Sequence, residues 1–290
     1  MFLILGGNGY VGKAFQNHFT MQGLPFEVVS RSKFDYSNEA KLQQLIDDRR
    51  PEFLINAAGY TGRPNVDACE LHRTECVAGN AVLPGVIRAA CEKAGVPWGH
   101  VSSGCIYTGA KPNGSGFTEK DAPNFSFRQN NCSFYSGCKA LGEEILAGVG
   151  NCFIWRLRIP FNEVDGPRNY ISKMMRYDSL LQATNSLSQL DEFAAVAVAC
   201  WTRRVPFGAY NLTNPGSVTT KEVVALIKRH GLSQKDFRFF DSEDQFMQQA
   251  AKTPRSNCVL DTTKAEQLQL PMRPITEALE IAMKAWSKAS

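Results

Sequence analysis

The 290-residue sequence contains no apolar run close to the roughly 18–20 residues that a membrane-spanning helix needs. Its opening segment, 1–5, is too short for a signal peptide and lacks the basic flank of one, so we expect a strand there. Excess charge is also scarce, because 32 Lys and Arg residues oppose 28 Asp and Glu residues and the basic ones are scattered. We therefore expect no membrane partner, no nucleic-acid partner and a cytoplasmic location.

Metal-ligand spacing is missing as well. The nine cysteines form no Cys-x-x-Cys pair, and the four histidines show no ligand spacing either. An odd number of cysteines does not suit a disulfide framework. We therefore predict free thiols in a reducing compartment, and no metal ion.

Continuous apolar runs alternate with longer helical patterns over the first two-thirds of the chain. Such runs indicate strands buried on both faces, as in a parallel sheet with helical crossovers. We predict an α/β fold with a doubly wound (Rossmann) parallel sheet. Its strands are expected at 2–5, 26–29, 53–57, 98–102, 153–159 and 209–212, and its helices at 11–22, 39–48, 70–94, 134–148 and 189–204.

After about residue 214 the pattern changes to short helices joined by polar, Pro-containing loops. We predict one Rossmann domain over 1–160 plus 185–214, and a smaller C-terminal α/β lobe over 161–184 plus 215–290. The lobe is expected to close over the carboxyl ends of the strands, where ligands bind in open α/β sheets.

A glycine cluster, Gly6-Gly7-Asn8-Gly9-Tyr10-Val11-Gly12, directly follows the first strand and opens the first helix. Glycines at these positions allow a tight turn, close approach of a pyrophosphate to backbone N–H groups, and close helix–strand packing. The pattern predicts a dinucleotide site. Its expected contacts are Gly6, Asn8, Gly9, Tyr10, Val11 and Gly12.

The end of the second strand indicates which dinucleotide binds. An NAD enzyme usually carries an acidic residue here for the ribose 2′-hydroxyl, whereas an arginine suits a 2′-phosphate. The sequence has Ser30 and Arg31 at this place, with no acid between them. We therefore predict NADPH (NADP) as the cofactor.

Tyr135 and Lys139 are four residues apart in a predicted helix, so both side chains lie on one face. A phenol with a pKa near 10 is a poor acid–base catalyst at neutral pH, and a neighbouring cation lowers that pKa. The predicted fourth strand ends at Ser102 and is followed by Ser103. These features together indicate a catalytic site.

The glycine turn, the serine and the Tyr-x-x-x-Lys pair resemble the extended short-chain dehydrogenase/reductase family. This resemblance implies that Ser103, Tyr135 and Lys139 form the catalytic set, and that Tyr135 and Lys139 also contact the cofactor. It further implies cofactor contacts by the stretch that follows the third strand, which is Asn56, Ala57, Ala58 and Gly59.

Several stretches look more specifically like the plant-type UDP-4-keto-6-deoxyglucose 3,5-epimerase/4-reductases, with bacterial dTDP-4-dehydrorhamnose reductases a more distant likeness. This resemblance implies a nucleotide 4-keto-6-deoxy-sugar substrate, a nucleotide-rhamnose product and a possible homodimer. The stretches are 56–67, 104–107, 167–173, 211–216 and 254–257.

Epimerisation needs a base on one face of a sugar carbon and an acid on the other. Cys105 is two residues after Ser103, so on an extended segment both side chains point to the same side. A thiol can serve as such an acid or base, and the resemblance offers Lys173 as the opposing group. Structural roles for both residues stay open.

Four further residues are candidates for substrate binding. Arg63 and Arg255 suit the anionic diphosphate, Asn169 suits substrate orientation, and Asn65 is a further candidate contact. Each of the four also suits a capping or loop-fixing role.

Alternatives remain at this point. A 4,6-dehydratase is disfavoured, because Gly104 and Cys105 stand where those enzymes carry an Asp-Glu pair. A monofunctional 4-reductase and a non-catalytic nucleotide-binding regulatory subunit remain possible readings of the same residues. The sequence leaves the choice between a UDP-sugar and a dTDP-sugar open.

Overall fold

The computed structural model describes residues 1–288. The strands are β1 Phe2–Leu5, β2 Phe26–Val29, β3 Phe53–Asn56, β4 Trp98–Ser103, β5 Cys152–Leu157, β6 Pro160–Phe161, β7 Ser179–Leu180, β8 Thr184–Asn185, β9 Ser188–Gln189, β10 Gly208–Asn211, β11 Val218–Thr219 and β12 Arg238–Phe239. The six strands expected from the sequence form one parallel sheet in the order β10-β5-β4-β3-β1-β2.

Helices cover both faces of the sheet, which confirms the predicted doubly wound fold. In chain order they are α1 Tyr10–Gln22, α2 Glu39–Arg49, α3 Ala68–Leu71, α4 Arg73–Val77, α5 Leu83–Ala94, α6 Phe134–Ile145, α7 Tyr170–Arg176, α8 Leu190–Thr202, α9 Thr220–Arg229, α10 Glu243–Gln249, α11 Thr263–Gln267 and α12 Ile275–Lys284. The order of the strands reverses between β1 and β3, so a crevice opens at their carboxyl ends.

Two apolar clusters sandwich the sheet. Phe15 of α1 and Phe193 of α8 pack under one face, while Leu42 of α2 and Ile87 of α5 pack on the other. The residues of β1 and β3 are fully buried, and these two strands, like β4 and β5, contribute side chains to both clusters. This double burial explains why the strands read as continuous apolar runs.

The prediction of one helix over 70–94 is wrong. The chain leaves helical geometry at His72, and a π-helical turn, Ala78–Val82, separates α4 from α5. The turn buries the Asn80 side chain, which accepts a hydrogen bond from the Tyr60 nitrogen and donates one to the Tyr60 oxygen. These contacts with the loop after β3 explain the interruption, because π turns accommodate such inserted partners.

A third cluster forms the core of the smaller lobe, where Phe161, Ile171, Val223 and Leu279 pack together. The division into two domains stays a prediction, and one stretch of the expected lobe behaves differently. The segment 265–272 packs against the core of the main sheet, through Ala265, Leu270 and Met272 among others.

None of the helices within 1–288 is long and apolar enough to cross a membrane. Over the same range, no three His, Cys, Asp or Glu side chains are grouped so that they could hold a metal ion.

Candidate active site

The glycine turn after β1 has the geometry of a phosphate-binding loop. Gly6 has φ +75°, and a Cβ there would lie 2.5 Å from the Ala58 nitrogen. A Cβ on Gly12 would lie 2.4 Å from the Gly6 oxygen, so both positions admit only glycine. No side chain caps α1 at Gly9, which leaves backbone N–H groups at its start available to an anion. These residues fit a dinucleotide pyrophosphate.

Ser30 and Arg31 lie beside this turn. The Asn8 side chain donates a hydrogen bond to the Ser30 hydroxyl over 3.3 Å, which ties the glycine turn to the end of β2. The Arg31 guanidinium is exposed and lies 5.5 Å from the centre of the Tyr36 ring. This placement leaves the cation free to meet a 2′-phosphate, and the predicted preference for NADPH depends on it.

Asn56 supports the turn after β3 from below. Its Oδ1 accepts a hydrogen bond from the Ala58 nitrogen at 3.0 Å, and its Nδ2 lies 2.9 Å from Nδ1 of His100. Because the side chain is fully buried and both ends are occupied, Asn56 shapes the turn. Of the four predicted cofactor contacts in this stretch, Gly59 is exposed and Ala57 is half-buried, so these two are open to a ligand.

Ser103, Tyr135 and Lys139 meet at the carboxyl end of β4. Ser133 caps α6 by accepting a hydrogen bond from the Ser136 nitrogen, and α6 places Tyr135 and Lys139 one turn apart. Lys139 is buried, and its Nζ donates to the Val101 oxygen at 3.3 Å. A Cβ on Gly59 would lie 3.5 Å from that Nζ, which puts the ammonium next to the cofactor turn.

The pKa of the Tyr135 phenol is raised in this structure, and not lowered as its spacing from Lys139 predicted. Burial raises the pKa of Tyr135 well above 10, and the neighbouring thiols of Cys105, Cys69 and Cys76 raise it further, while hydrogen bonding with Ser103 opposes them. Burial also lowers the pKa of Lys139. The phenol therefore stays protonated at neutral pH, as a proton donor must.

Cys105 lies close to Ser103, but the backbone between them is not extended as the sequence analysis predicted. Residues Gly104–Ile106 form a 3₁₀ turn rather than an extended segment, and Ser103 caps it by accepting a hydrogen bond from the Cys105 nitrogen at 3.2 Å. Burial raises the pKa of the Cys105 thiol. Hydrogen bonds with Ser103 and Ser136, and the cations of Arg158 and Lys139, oppose that rise.

Lys173 lies on α7 and is half-buried. Burial lowers the pKa of its ammonium, and the nearby Arg168 guanidinium lowers it further. No ion pair joins Lys173 to a carboxylate within the described part of the chain. An amine in this setting gives up its proton more readily than an exposed lysine does.

Arg255 is bound to Asp67 by two hydrogen bonds of 2.7 Å each, which join the loop after β3 to the segment after α10. Asn65 Oδ1 accepts a hydrogen bond from the Asp67 nitrogen at 2.8 Å, so it shapes the same loop. Arg63 is exposed on this loop. Of the predicted substrate residues, Arg63 thus has the most freedom to meet an anion.

The expected substrate-orienting role of Asn169 does not fit its surroundings. The side chain is fully buried and caps α7 by accepting a hydrogen bond from the Ile171 nitrogen. Its amide donates to the oxygens of Asn162 and Val164. Every polar atom of Asn169 is therefore occupied by the protein itself.

Two arginines near the site were not singled out by the sequence analysis. Arg168 donates a hydrogen bond from Nη2 to the Gly62 oxygen at 2.8 Å, and Arg158 is buried beside Gly104. Arg158 directly follows the buried strand β5 at the ligand-binding edge of the sheet. A charge at such a position is a signal that sequence alone could have provided.

The model of the RmlD substrate binding domain family matches residues 1–287. A trifunctional UDP-glucose 4,6-dehydratase/UDP-4-keto-6-deoxy-D-glucose 3,5-epimerase/UDP-4-keto-L-rhamnose-reductase of Arabidopsis thaliana is 33% identical over 283 residues. That match covers 96% of this chain but 41% of the relative, so the chain spans about two-fifths of the relative's length.

Two further similarities extend over nearly the whole of this chain and of the protein compared with it. A bifunctional dTDP-4-dehydrorhamnose 3,5-epimerase/dTDP-4-dehydrorhamnose reductase of Arabidopsis thaliana is 33% identical, over 96% of this chain and 90% of that protein. The crystal structure of the L780 UDP-rhamnose synthase from Acanthamoeba polyphaga mimivirus superimposes with a TM-score of 0.89 at 24% identity, over 98% of each chain. The latter likeness establishes the fold.

Proposed function

The chain belongs to the RmlD substrate binding domain family, and from this membership we propose that it is an NADPH-dependent 4-reductase and 3,5-epimerase. Its substrate would be a nucleotide 4-keto-6-deoxyglucose and its product a nucleotide-L-rhamnose. The observation that carries the proposal is the convergence of Ser103, Tyr135, Lys139 and Cys105 at the end of β4, beside the glycine turn. The names of the similar plant enzymes support it.

The glycine turn would hold the cofactor pyrophosphate at the start of α1, and Arg31 would meet the 2′-phosphate. Lys139, next to Gly59, would hold the nicotinamide ribose. Bound in this way, NADPH supplies a hydride for the substrate carbonyl.

Reduction of the C4 ketone needs a proton for its oxygen. Ser103 and Tyr135 would both donate hydrogen bonds to that oxygen, and Tyr135 would then transfer its proton. The raised pKa of Tyr135 keeps the phenol protonated until the oxygen gains negative charge. The buried Lys139 cation would stabilise the phenolate that remains.

Epimerisation uses the acidity that the C4 ketone confers on the hydrogens at C3 and C5. Lys173, whose pKa is lowered, would remove a proton as the neutral amine. Cys105, whose pKa is raised, keeps its proton and would deliver it to the opposite face. The hydrogen bonds from Ser103 and Tyr135 would stabilise the enolate that forms between the two steps.

The anionic diphosphate of the substrate would bind among the cations at the mouth of the crevice. Arg63 is exposed there, and Arg168 and Arg255 are fixed by the contacts described above. Parallel assays with the UDP-sugar and the dTDP-sugar would decide which nucleotide is preferred.

The test is incubation of the pure protein with a nucleotide 4-keto-6-deoxyglucose in D₂O without NADPH. We expect deuterium at C3 and C5, and NADPH oxidation once the cofactor is added. If no deuterium is incorporated but NADPH is still oxidised, the protein is a monofunctional 4-reductase. Absence of both activities would reject the enzyme assignment and favour a nucleotide-binding regulatory subunit.

Cys105→Ala separates the two activities. We expect this variant to lose deuterium incorporation while it still reduces a pre-epimerised 4-ketone, because the thiol serves only the proton transfers at carbon. Equal loss of both activities would mean that Cys105 has a structural role.

A further inference from the structure

Arg158 is a buried cation that has no carboxylate partner within residues 1–288. It is 5% exposed, and Nη2 donates to Asn185 Oδ1 at 2.6 Å and to the Ser256 oxygen. Its Nε has no hydrogen-bond partner, and no ion pair involves Arg158 within residues 1–288. By contrast Arg156, two residues earlier and equally buried, is paired with Glu143. An uncompensated buried charge is costly, so its presence calls for a functional reason.

The backbone at this place is strained as well. Ile159 has φ +38°, which lies in the left-handed region. This region is strongly disfavoured for Ile159, because its side chain is β-branched and the next residue is a proline. Arg158 itself is held on both sides by Ser188, whose hydroxyl accepts from the Arg158 nitrogen and whose nitrogen donates to the Arg158 oxygen. Such strain is concentrated at functional sites.

The Arg158 side chain lies against the backbone that carries the reactive residues. A Cβ on Gly104 would be 3.3 Å from Arg158 Cδ, and Gly104 stands between Ser103 and Cys105. Glycine at 104 thus allows the arginine to approach the 3₁₀ turn. Burial raises the pKa of the Cys105 thiol, and the positive charge of the Arg158 guanidinium acts to lower it. The same charge acts to lower the pKa values of Cys258 and Tyr170.

We propose that Arg158 is a positioning charge for the epimerase step, which stabilises the thiolate that Cys105 becomes when it protonates the sugar. The inference rests on the proposed function. In the step, the S–H bond of Cys105 breaks and a C–H bond forms at C3 or C5. The enolate becomes a ketone, so the negative charge moves from the substrate to sulfur, beside the guanidinium. Solvent reprotonates the thiolate before the next transfer.

Arg158 is suited to this role because its charge is not already neutralised. The other cation near Cys105, Lys139, also experiences the carboxylate of Glu143. The remaining titratable groups that face Cys105 are Tyr135 and the thiols of Cys69 and Cys132. None of these carries a positive charge, so Arg158 and Lys139 are the cations that act on the sulfur, and of the two Arg158 has the larger effect.

The first experiment measures the Cys105 thiol without any sugar. Alkylation by iodoacetamide is followed against pH by mass spectrometry of the Cys105 peptide, in the wild type, Arg158→Met and Arg158→Lys. We expect the apparent pKa of Cys105 to rise by about one to three units in Arg158→Met. Alkylation at a pH below that pKa would then slow by about tenfold or more.

Arg158→Lys, which keeps the charge, should restore most of this shift. Arg168→Met is the matched control, because it removes a crevice cation that acts on Lys173 and should leave Cys105 unchanged. An unchanged Cys105 pKa in Arg158→Met would overturn the proposal, whether or not the protein is an epimerase. If Arg158→Met does not fold, Arg158→Gln keeps a donor for Asn185 and serves instead.

The second experiment compares deuterium incorporation with reduction of a pre-epimerised ketone. We expect Arg158→Met to slow deuterium incorporation at least tenfold more than reduction, because the thiolate forms only in the former. Equal slowing of both reactions would assign Arg158 a merely structural role. If the wild type incorporates no deuterium, the epimerase function itself is rejected. The alkylation experiment would still show whether the Arg158 charge lowers the pKa of Cys105.

Discussion

At the scale of single residues, burial decides which side chains give protons and which accept them. It raises the pKa of Tyr135 and of Cys105, and it lowers the pKa of Lys139 and of Lys173. The two acids are therefore kept protonated, whereas the amines are brought closer to neutrality. This division fits a site in which a phenol and a thiol donate protons and Lys173 removes one.

Tyr135→Phe should abolish reduction while leaving NADPH affinity nearly unchanged, because it removes the proton donor but not the glycine turn. The loss should be at least 10²-fold in kcat. It is measured by NADPH oxidation and by fluorescence titration of the cofactor. A variant that reduces at the wild-type rate would mean that another group supplies the proton.

Arg31→Ala should weaken the binding of NADPH more than the binding of NADH, because only NADPH carries the 2′-phosphate that the exposed guanidinium would bind. We expect at least a tenfold change in the ratio of the two KM values. Lys33→Ala, two residues further along the same exposed loop, is the control and should change the ratio little. Equal losses of both cofactors in Arg31→Ala would contradict the predicted preference.

At the scale of elements, helix α6 carries the site on one face. Tyr135, Lys139 and Glu143 follow at intervals of four residues. Glu143 accepts hydrogen bonds from the Ser102 hydroxyl at 2.5 Å and from Arg156 Nη2 at 2.7 Å. These contacts tie α6 to β4 and β5, so the position of Ser103 is coupled to that of the phenol.

Glu143→Gln should lower the free energy of unfolding by about 3 kcal/mol, since it leaves the buried Arg156 without its charge partner. Urea denaturation would measure it. Glu144→Gln is the matched control, because the neighbouring carboxylate pairs with Arg128 at the surface and should matter little. Similar stability of the two variants would mean that the buried pair is not a major contributor.

At the scale of the whole molecule, two contacts join distant parts of the chain across the crevice. Asp67 accepts hydrogen bonds from Arg255 and from the Lys252 nitrogen. The Tyr10 hydroxyl, at the glycine turn, donates to Asn162 Oδ1 at 2.9 Å. These contacts join segments of the predicted smaller lobe to the loops that follow β1 and β3.

The Asp67–Arg255 pair should contribute stability that depends on pH. Burial alone would raise the pKa of Asp67, but hydrogen bonding and charge from Arg255 hold it below 3.8. The contribution is therefore complete above pH 3.8 and is lost as pH falls through the lower pKa of the folded state. A double-mutant cycle with Asp67→Asn and Arg255→Gln should give a coupling energy on the order of 1 kcal/mol at pH 7.

That coupling energy is measured by urea unfolding at several pH values from 7 downwards. It should decrease only at the acidic end, below pH 3.8. A coupling near zero at pH 7 would show that the pair does not hold the lobes together.

The sequence alone determined the features that depend on near neighbours. The apolar runs located all six sheet strands to within a few residues, and the glycine turn and the Tyr135–Lys139 spacing depend on local backbone geometry. Predictions from the sequence were less reliable where a segment also contacts residues that are distant in the chain. The helix expected over 70–94 is interrupted at His72 and again at the π turn, where Asn80 binds the backbone of Tyr60.

Only the tertiary structure decided the electrostatics of the site. The pKa of Tyr135 rises because burial and the neighbouring thiols outweigh the hydrogen bond with Ser103. Asp67 finds Arg255 across 188 positions of chain. That Arg158 is buried without a carboxylate partner among the described residues is likewise a result of packing. Charges act through space and in proportion to burial, and neither quantity can be read from the order of residues.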